Sequence, residues 1–174
     1  MNGQAEQHWI CRLTNQPHQF SYESGVEVTH VEPGRAEGVL TVGPDSINPH
    51  GKVHGGALAT LADTVAGCCA CARGRSCVTS GSSMEFLRPA DGDRITCTAV
   101  PKKEGQTLSV IQVELRNGAE ALVATGTFTF FMFDRKDRPG AARNQKTIPP
   151  GGDSISSAVR PGGSFYLECD QESM

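Results

Sequence analysis

Within residues His54 to Arg73 the apolar side chains recur every three and four positions, whereas on both sides of that stretch they recur every two. Leu58, Leu61, Ala62, Val65 and Cys69 fall on one face of a helix, and Gly74 follows as a residue suited to ending it. Before the helix, Val26 and Val28 alternate with Glu27 and Thr29 over Gly25 to Val31. Pro33-Gly34 turns the chain, and Ala36 to Val42 returns as a second strand. After it, Val78 to Leu87 runs toward Pro89, and Asp91-Gly92 makes a turn. Ile95, Cys97 and Ala99 then alternate with Thr96 and Thr98. Glu104-Gly105 turns the chain again, and Ile111, Val113 and Leu115 alternate with Gln112, Glu114 and Arg116. Asn117-Gly118 predicts a two-residue hairpin. The last strand alternates Leu122, Ala124, Gly126, Phe128 and Phe130 with Val123, Thr125, Thr127 and Thr129. One long helix among about six antiparallel strands is an α+β domain, and the economical packing wraps a curved sheet around that helix.

The 174 residues suffice for one domain with a substantial core. Residues 1–23 form a lead-in, in which Trp9, Ile10 and Leu13 predict a short helix or irregular structure. Residues 24–133 form the domain. Residues 134–174 read as a polar, flexible tail, charged at its start and rich in Pro, Gly and Ser over 149–163. Phe165, Tyr166 and Leu167 are its candidate docking residues, and no internal repeat is evident.

Composition narrows the function classes. A net charge of −3 without a basic stripe argues against nucleic-acid binding. No run of 18 apolar residues is present, so no membrane span is expected. Met1 to Cys11 is polar and lacks a secretory pattern, which makes a cytoplasmic location the expectation. Seven cysteines form no paired Cys-x-x-Cys units. Cys68, Cys69 and Cys71 diverge around the helix, so they read as small core residues and not as ligands; no metal is expected. A redox or metal role for them is the distant alternative.

Asn48-Pro-His-Gly-Lys-Val-His54-Gly55-Gly56 leads into the helix, and Asp63 lies about two turns inside it. A helix start offers free N–H groups to an anion or a developing oxyanion. A lone carboxylate among small residues (Ala59, Thr60, Ala66 and Gly67 are its neighbours one turn away) costs free energy unless it is used. Together the two features point to acyl transfer. No Gly-x-Ser-x-Gly occurs, which disfavours a serine hydrolase.

The order strand–strand–loop–helix–four strands, with Asn48, Gly51, His54, Gly55, Gly56, Leu61 and Asp63 followed by Phe86-Leu87-Arg88-Pro89, resembles the hotdog-fold acyl-CoA thioesterases. The similarity is to the phenylacetic-acid-pathway and thioesterase-superfamily-member-2 branch, and it covers roughly residues 24–133. The resemblance implies hydrolysis of acyl-CoA to acid and free CoA, without metal or prosthetic group. It also implies two subunits paired sheet edge to sheet edge, active sites at their interface, and further pairing to tetramers.

Spacing adds an argument for self-association. Gly55 and Asp63, eight residues apart on one helix, are separated by about 12 Å. Catalytic contacts need about 3 Å, so a site that uses both takes them from different subunits. Gly55 is the candidate oxyanion donor through its backbone N–H, against the plain reading of a helix-start glycine. Asp63 is the candidate base or nucleophile, against a structural carboxylate that bonds a neighbouring helix start. Asn48 is a candidate donor to the thioester carbonyl or to water, and also a common turn residue. His54 orients the loop or contacts the thioester region, or else caps the helix. Thr79 aligns with a water-positioning hydroxyl of some relatives, with Ser80 and Ser82 as competitors. Gly56, Arg73, Arg75 and Arg88 are the candidate substrate-binding residues, and Lys102, Lys103, His50 and Lys52 are further cations for the CoA phosphates. Each of these cations is otherwise a solvated surface charge.

Two other readings compete. A hotdog protein that binds acyl-CoA without turnover would use Asp63 structurally. Hotdog dehydratases pair Asp with a His five residues on, whereas residue 68 here is Cys. The small residues Ala59, Ala66 and Gly67 suggest room for an aryl or medium-length acyl group.

Overall fold

The structure is a computed structural model that describes residues 9–134. Two short helices, α1 (Trp9–Thr14) and α2 (Phe20–Glu23), precede strands β1 (Val26–Glu32) and β2 (Arg35–Thr41). A 3-10 turn at Pro44–Ser46 and a loop lead to α3 (Gly55–Cys71). Strands β3 (Ser76–Phe86), β4 (Arg94–Lys103), β5 (Leu108–Asn117) and β6 (Leu122–Phe133) follow. The expected tail lies outside the described residues apart from Asp134. No helix among the described residues is long and apolar enough to cross a membrane.

The six strands form one antiparallel sheet in the order β1-β2-β4-β5-β6-β3. This is the hotdog arrangement that the resemblance implied, with α3 packed on the concave face of the sheet. The alternation read from the sequence sorts the faces: Ile95, Cys97, Ala99, Ile111, Val113 and Leu115 are all buried. So is the predicted face of α3, Leu58, Leu61, Ala62, Val65 and Cys69. Burial of each large aliphatic side chain here contributes about 1.5–3 kcal/mol. Gly38 of β2 lets the helix come close, because a Cβ there would lie 2.5 Å from Cγ2 of Val65. Gly74, at φ +90°, donates its N–H to Cys71 O and turns the chain out of the helix.

Two local expectations are corrected. Asn117-Gly118 is not a two-residue turn: β5 and β6 are joined by residues 118–121. The Asn117 side-chain oxygen accepts the N–H groups of Ala119 (3.2 Å) and Ala121 (3.0 Å), and Glu120 takes the left-handed conformation at φ +61°. The asparagine organises a longer loop by side-chain bonding instead of occupying its centre. Ala66, offered as a pocket residue, is fully buried in the core.

Strand order leaves β1 and β3 at the sheet edges. β3 is eleven residues long and exposed along most of its length. A long open edge is a template for pairing with another chain.

Candidate active site

The loop into α3 is held by its own asparagine. Asn48 Oδ1 accepts the N–H groups of His50 (2.9 Å) and Lys52 (3.1 Å), which leaves the side-chain NH2 as its remaining donor group. Gly51 turns at φ +71°, and Ile47 bridges Val53 to close the loop. His54 then acts as the N-cap. Its Nδ1 accepts the Gly56 N–H at 2.8 Å, and its carbonyl accepts those of Ala57 (3.0 Å) and Leu58 (3.2 Å). A helix start has four N–H groups without intrahelical partners at position i−4 inside the helix. Local bonds occupy three of the first four here, and the Gly55 N–H has no acceptor among the described residues. A ring carbon of Phe86 lies 3.5 Å from where a Gly55 Cβ would be. Gly55 opens on a cavity of about 560 Å³ that Asn48, His50, Lys52, Phe86 and Arg88 also line.

Asp63 sits about 12 Å further along the same helix. It is half-buried, and its Oδ1 accepts the hydroxyl of Thr79 on β3 at 2.8 Å. It opens on a different cavity, of about 430 Å³, lined by Gly67, Cys68, Cys71, Cys77, Phe130 and, from the lead-in, Ile10, Thr14 and Gln19. Asp63 is the one carboxylate among the described residues lining it. The two cavities share no lining residue. A third hollow of about 550 Å³ touches His54, Gly56 and Thr60 but carries Glu23 and Asp45, which repel an anion.

Thiols crowd the Asp63 side. Cys71 donates to Cys77 Sγ at 3.4 Å, Cys77 donates to Gly67 O at 3.7 Å, and Cys68 Sγ lies 3.5 Å from the Thr14 hydroxyl. Burial pushes Cys68 up to about 12 and Cys69 up to about 11. The hydrogen bond with Cys71, and then burial, raises Cys77. Cys68, Cys69 and Cys77 therefore keep their protons near neutral pH.

The predicted residues therefore separate into groups. Gly55, Asn48 and Arg88 share one cavity, together with His50 and Lys52. Asp63 and Thr79 share the other, in direct contact. His54 serves the helix start, and the Gly56 N–H is committed to it. Arg73 pairs with Glu104, and Arg75 with Asp134 and Gln106 O, at the opposite end of α3 from Gly55. Ser80 donates to Thr129 O, away from Asp63. Lys52 forms an ion pair with Asp91 at 3.0 Å, which holds the Asp91 carboxyl below its ordinary value. The guanidinium of Arg88 has no carboxylate partner among the described residues. Sequence reasoning missed the ring of Phe86 beside Gly55, the lead-in residues over the Asp63 cavity, and Cys77. Only Phe86 carried a signal, by standing next to Leu87-Arg88-Pro89.

A six-stranded antiparallel sheet wrapped on one helix, with an uncommitted amide at the helix start and a hydrogen-bonded carboxylate at its middle, defines the hotdog class. The chain belongs to the thioesterase superfamily, whose family model matches residues 50–124. It is 33% identical over 101 residues to the acyl-coenzyme A thioesterase PaaI of Escherichia coli, covering 58% of this chain and 72% of that one. Its fold matches a hypothetical thioesterase from Streptococcus pneumoniae determined with coenzyme A, at 28% identity and a TM-score of 0.62, over 66% of this chain and 93% of that one. It also matches smu.793 of Streptococcus mutans bound to acetyl CoA, at 28% identity and a TM-score of 0.63, over 69% and 98% of the two chains.

Proposed function

We propose that this protein hydrolyses acyl-CoA thioesters at a site shared between two copies of the chain. The observation that carries the proposal is the division of labour along α3. The Gly55 amide is uncommitted, Asp63 is held by Thr79, and about 12 Å of helix separates them. One protomer cannot present both to a single carbonyl. A second copy paired along the exposed edge of β3 supplies the missing half, and the apolar side chains of Val78 and Phe86 on β3 and of Leu87 just past it, each about half exposed, gain cover there. Whether dimers pair further into tetramers is read from the mass in solution.

In this reading the thioester carbonyl oxygen points at the Gly55 N–H, where the helix dipole favours negative charge. The Asp63 carboxylate takes a proton from water, and the water oxygen bonds to the carbonyl carbon. The tetrahedral oxyanion then collapses, the carbon–sulfur bond breaks, and the CoA thiolate takes the proton back from Asp63. In the nucleophilic variant Asp63 itself bonds to the carbon and water cleaves the resulting anhydride; single-turnover hydrolysis in heavy-oxygen water separates the routes by whether label enters the enzyme. Asn48 NH2 stands at the same cavity as Gly55 and is a second donor to the carbonyl. Thr79 fixes the carboxylate by its hydrogen bond. Arg88, His50 and Lys52 face the phosphates of CoA, a substrate class supported by the coenzyme A and acetyl CoA bound in the two similar structures. The acyl group lies toward Gly67, Val78 and Phe130 in the Asp63 cavity, which suits an aryl or medium-length chain. No metal or cofactor is called for.

The test is release of free CoA from a panel of acyl-CoA substrates by the wild type and by Asp63→Ala, with the solution mass measured for both. Turnover lost at least a thousandfold in Asp63→Ala, with dimer mass retained, supports the reading. Retained turnover, or a monomeric active wild type, overturns it.

A further inference from the structure

The Asp63 cavity has a feature that hydrolysis does not use: two thiols in contact, one from each wall. Cys71 ends α3 and Cys77 stands near the start of β3, and their sulfurs are 3.4 Å apart. Cys71 is 7% exposed and Cys77 is more open, and both line the cavity that Asp63 faces. Cys77 is two residues before Thr79, whose hydroxyl holds Asp63 at 2.8 Å. Cys71 is eight residues after Asp63 on the same helix. The carboxylate, its hydrogen-bond partner and the two thiols thus form one circuit through α3 and β3. We infer that Cys71 and Cys77 are a modification site, a dithiol that a small disulfide oxidises to an intramolecular cystine, and that this oxidation lowers activity at Asp63.

The chemistry balances as two exchanges. The Cys71 hydrogen bond and burial hold Cys77 protonated, so the exchange is slow at neutral pH and runs through the small thiolate fraction that alkaline pH releases to water. That thiolate of Cys77, the more open of the two, attacks one sulfur of a low-molecular-weight disulfide such as glutathione disulfide. A mixed disulfide forms and one glutathione leaves as thiolate. Cys71 then attacks the Cys77 sulfur of that mixed disulfide, and the second glutathione leaves. The two protein thiols lose two electrons and two protons, and the oxidant becomes two thiols. Closing the bond draws the sulfurs from 3.4 Å to about 2.05 Å. The hydrogen bond from Cys77 to Gly67 O is lost in the same step. The sulfurs close by about 1.35 Å, a displacement shared between side-chain rotation and movement of the end of α3 and the start of β3. A displacement of that size at a catalytic group is worth up to about a hundredfold in rate.

This proposal rests on Asp63 being used in catalysis only for its second half, so the experiment reads the two halves separately. The full-length protein is incubated with glutathione disulfide at mildly alkaline pH, alkylated and digested with trypsin. Cleavage after Arg73 and Arg75 parts Cys71 from Cys77. The expected product is a cross-linked peptide pair, with a mass lower by two hydrogens, fragmenting to a Cys71–Cys77 link and absent from Cys71→Ser and Cys77→Ser. Hydrolysis by the oxidised wild type is expected to fall at least tenfold and to return with dithiothreitol, while each variant is insensitive to the oxidant at whatever level it works. No link under conditions that oxidise dithiothreitol, or a link between other cysteines, overturns the dithiol. A Cys71–Cys77 link with unchanged hydrolysis overturns the switch. Absence of hydrolysis in the reduced protein overturns the proposed function and leaves the peptide result to decide the modification site.

Discussion

Replacing His54 by alanine separates its capping role from any role in turnover. The imidazole Nδ1 accepts the Gly56 N–H at 2.8 Å. Loss of such a cap costs about 1 kcal/mol, within a range of about 0.5–2. For residues 9–134, an unfolding entropy of about 2.1 cal/mol/K per residue gives about 0.26 kcal/mol/K. His54→Ala is therefore expected to melt about 4 °C lower than the wild type. His54→Asn, whose side chain caps as well as any, is expected to recover most of that loss. Differential scanning calorimetry gives the stability, and free CoA release gives the rate. If His54 acts through the helix start, kcat/KM in His54→Asn stays within about threefold of wild type, while His54→Ala loses rate because the Gly55 amide is no longer held in place. A melting temperature unchanged within 1 °C in His54→Ala would refute the capping argument. Equal loss of rate in both variants at wild-type stability would make His54 a contact to substrate.

Gly55→Ala is expected to fold normally, since its Cβ meets Phe86 at an ordinary 3.5 Å, yet to lose at least tenfold in kcat as the added methyl crowds the thioester; equal kinetics would remove Gly55 from the site. Gly38→Ala forces a methyl to within 2.5 Å of Val65 Cγ2 and is expected to cost about 1–3 kcal/mol in urea unfolding. Val65→Ala in the same chain should return part of that cost, and strict additivity of the two would refute the close approach. The buried thiols predict alkaline instability. Cys68 and Cys69 hold their protons to about 12 and about 11 in the folded chain, against about 8.5 unfolded, so the unfolded state ionises first as pH rises. Their stabilising contribution is complete below about pH 8.5 and is lost progressively as pH climbs toward the folded values. The melting temperature should fall over that window, and pH-dependent alkylation read by peptide mapping should show Cys68 and Cys69 reacting only with unfolding; their alkylation in the folded protein near pH 8.5 would contradict it.

Much of the fold was legible because its determinants are local. The switch of apolar spacing at His54 placed α3, and alternation placed β1, β4, β5 and β6 with their buried faces, because side-chain direction follows from backbone period alone. Pro33-Gly34, Asp91-Gly92 and Gly74 marked turns for the same reason. Asp63 stood out as a carboxylate among small residues, and its distance from Gly55 follows from helix rise without any knowledge of what surrounds them. Tertiary packing decided the rest. Whether His54 caps or catalyses, which side chain holds Asp63, which cations share the Gly55 cavity and which are spent on Glu104 and Asp134, and that β3 is left at an edge all depend on contacts between segments far apart in the chain. Asn117 shows the limit on a small scale: two hydrogen bonds accepted by one side chain outweighed the turn its neighbour favoured. Cys71 and Cys77 show it at the site, since six residues of intervening chain say nothing about two sulfurs until α3 and β3 pack against each other.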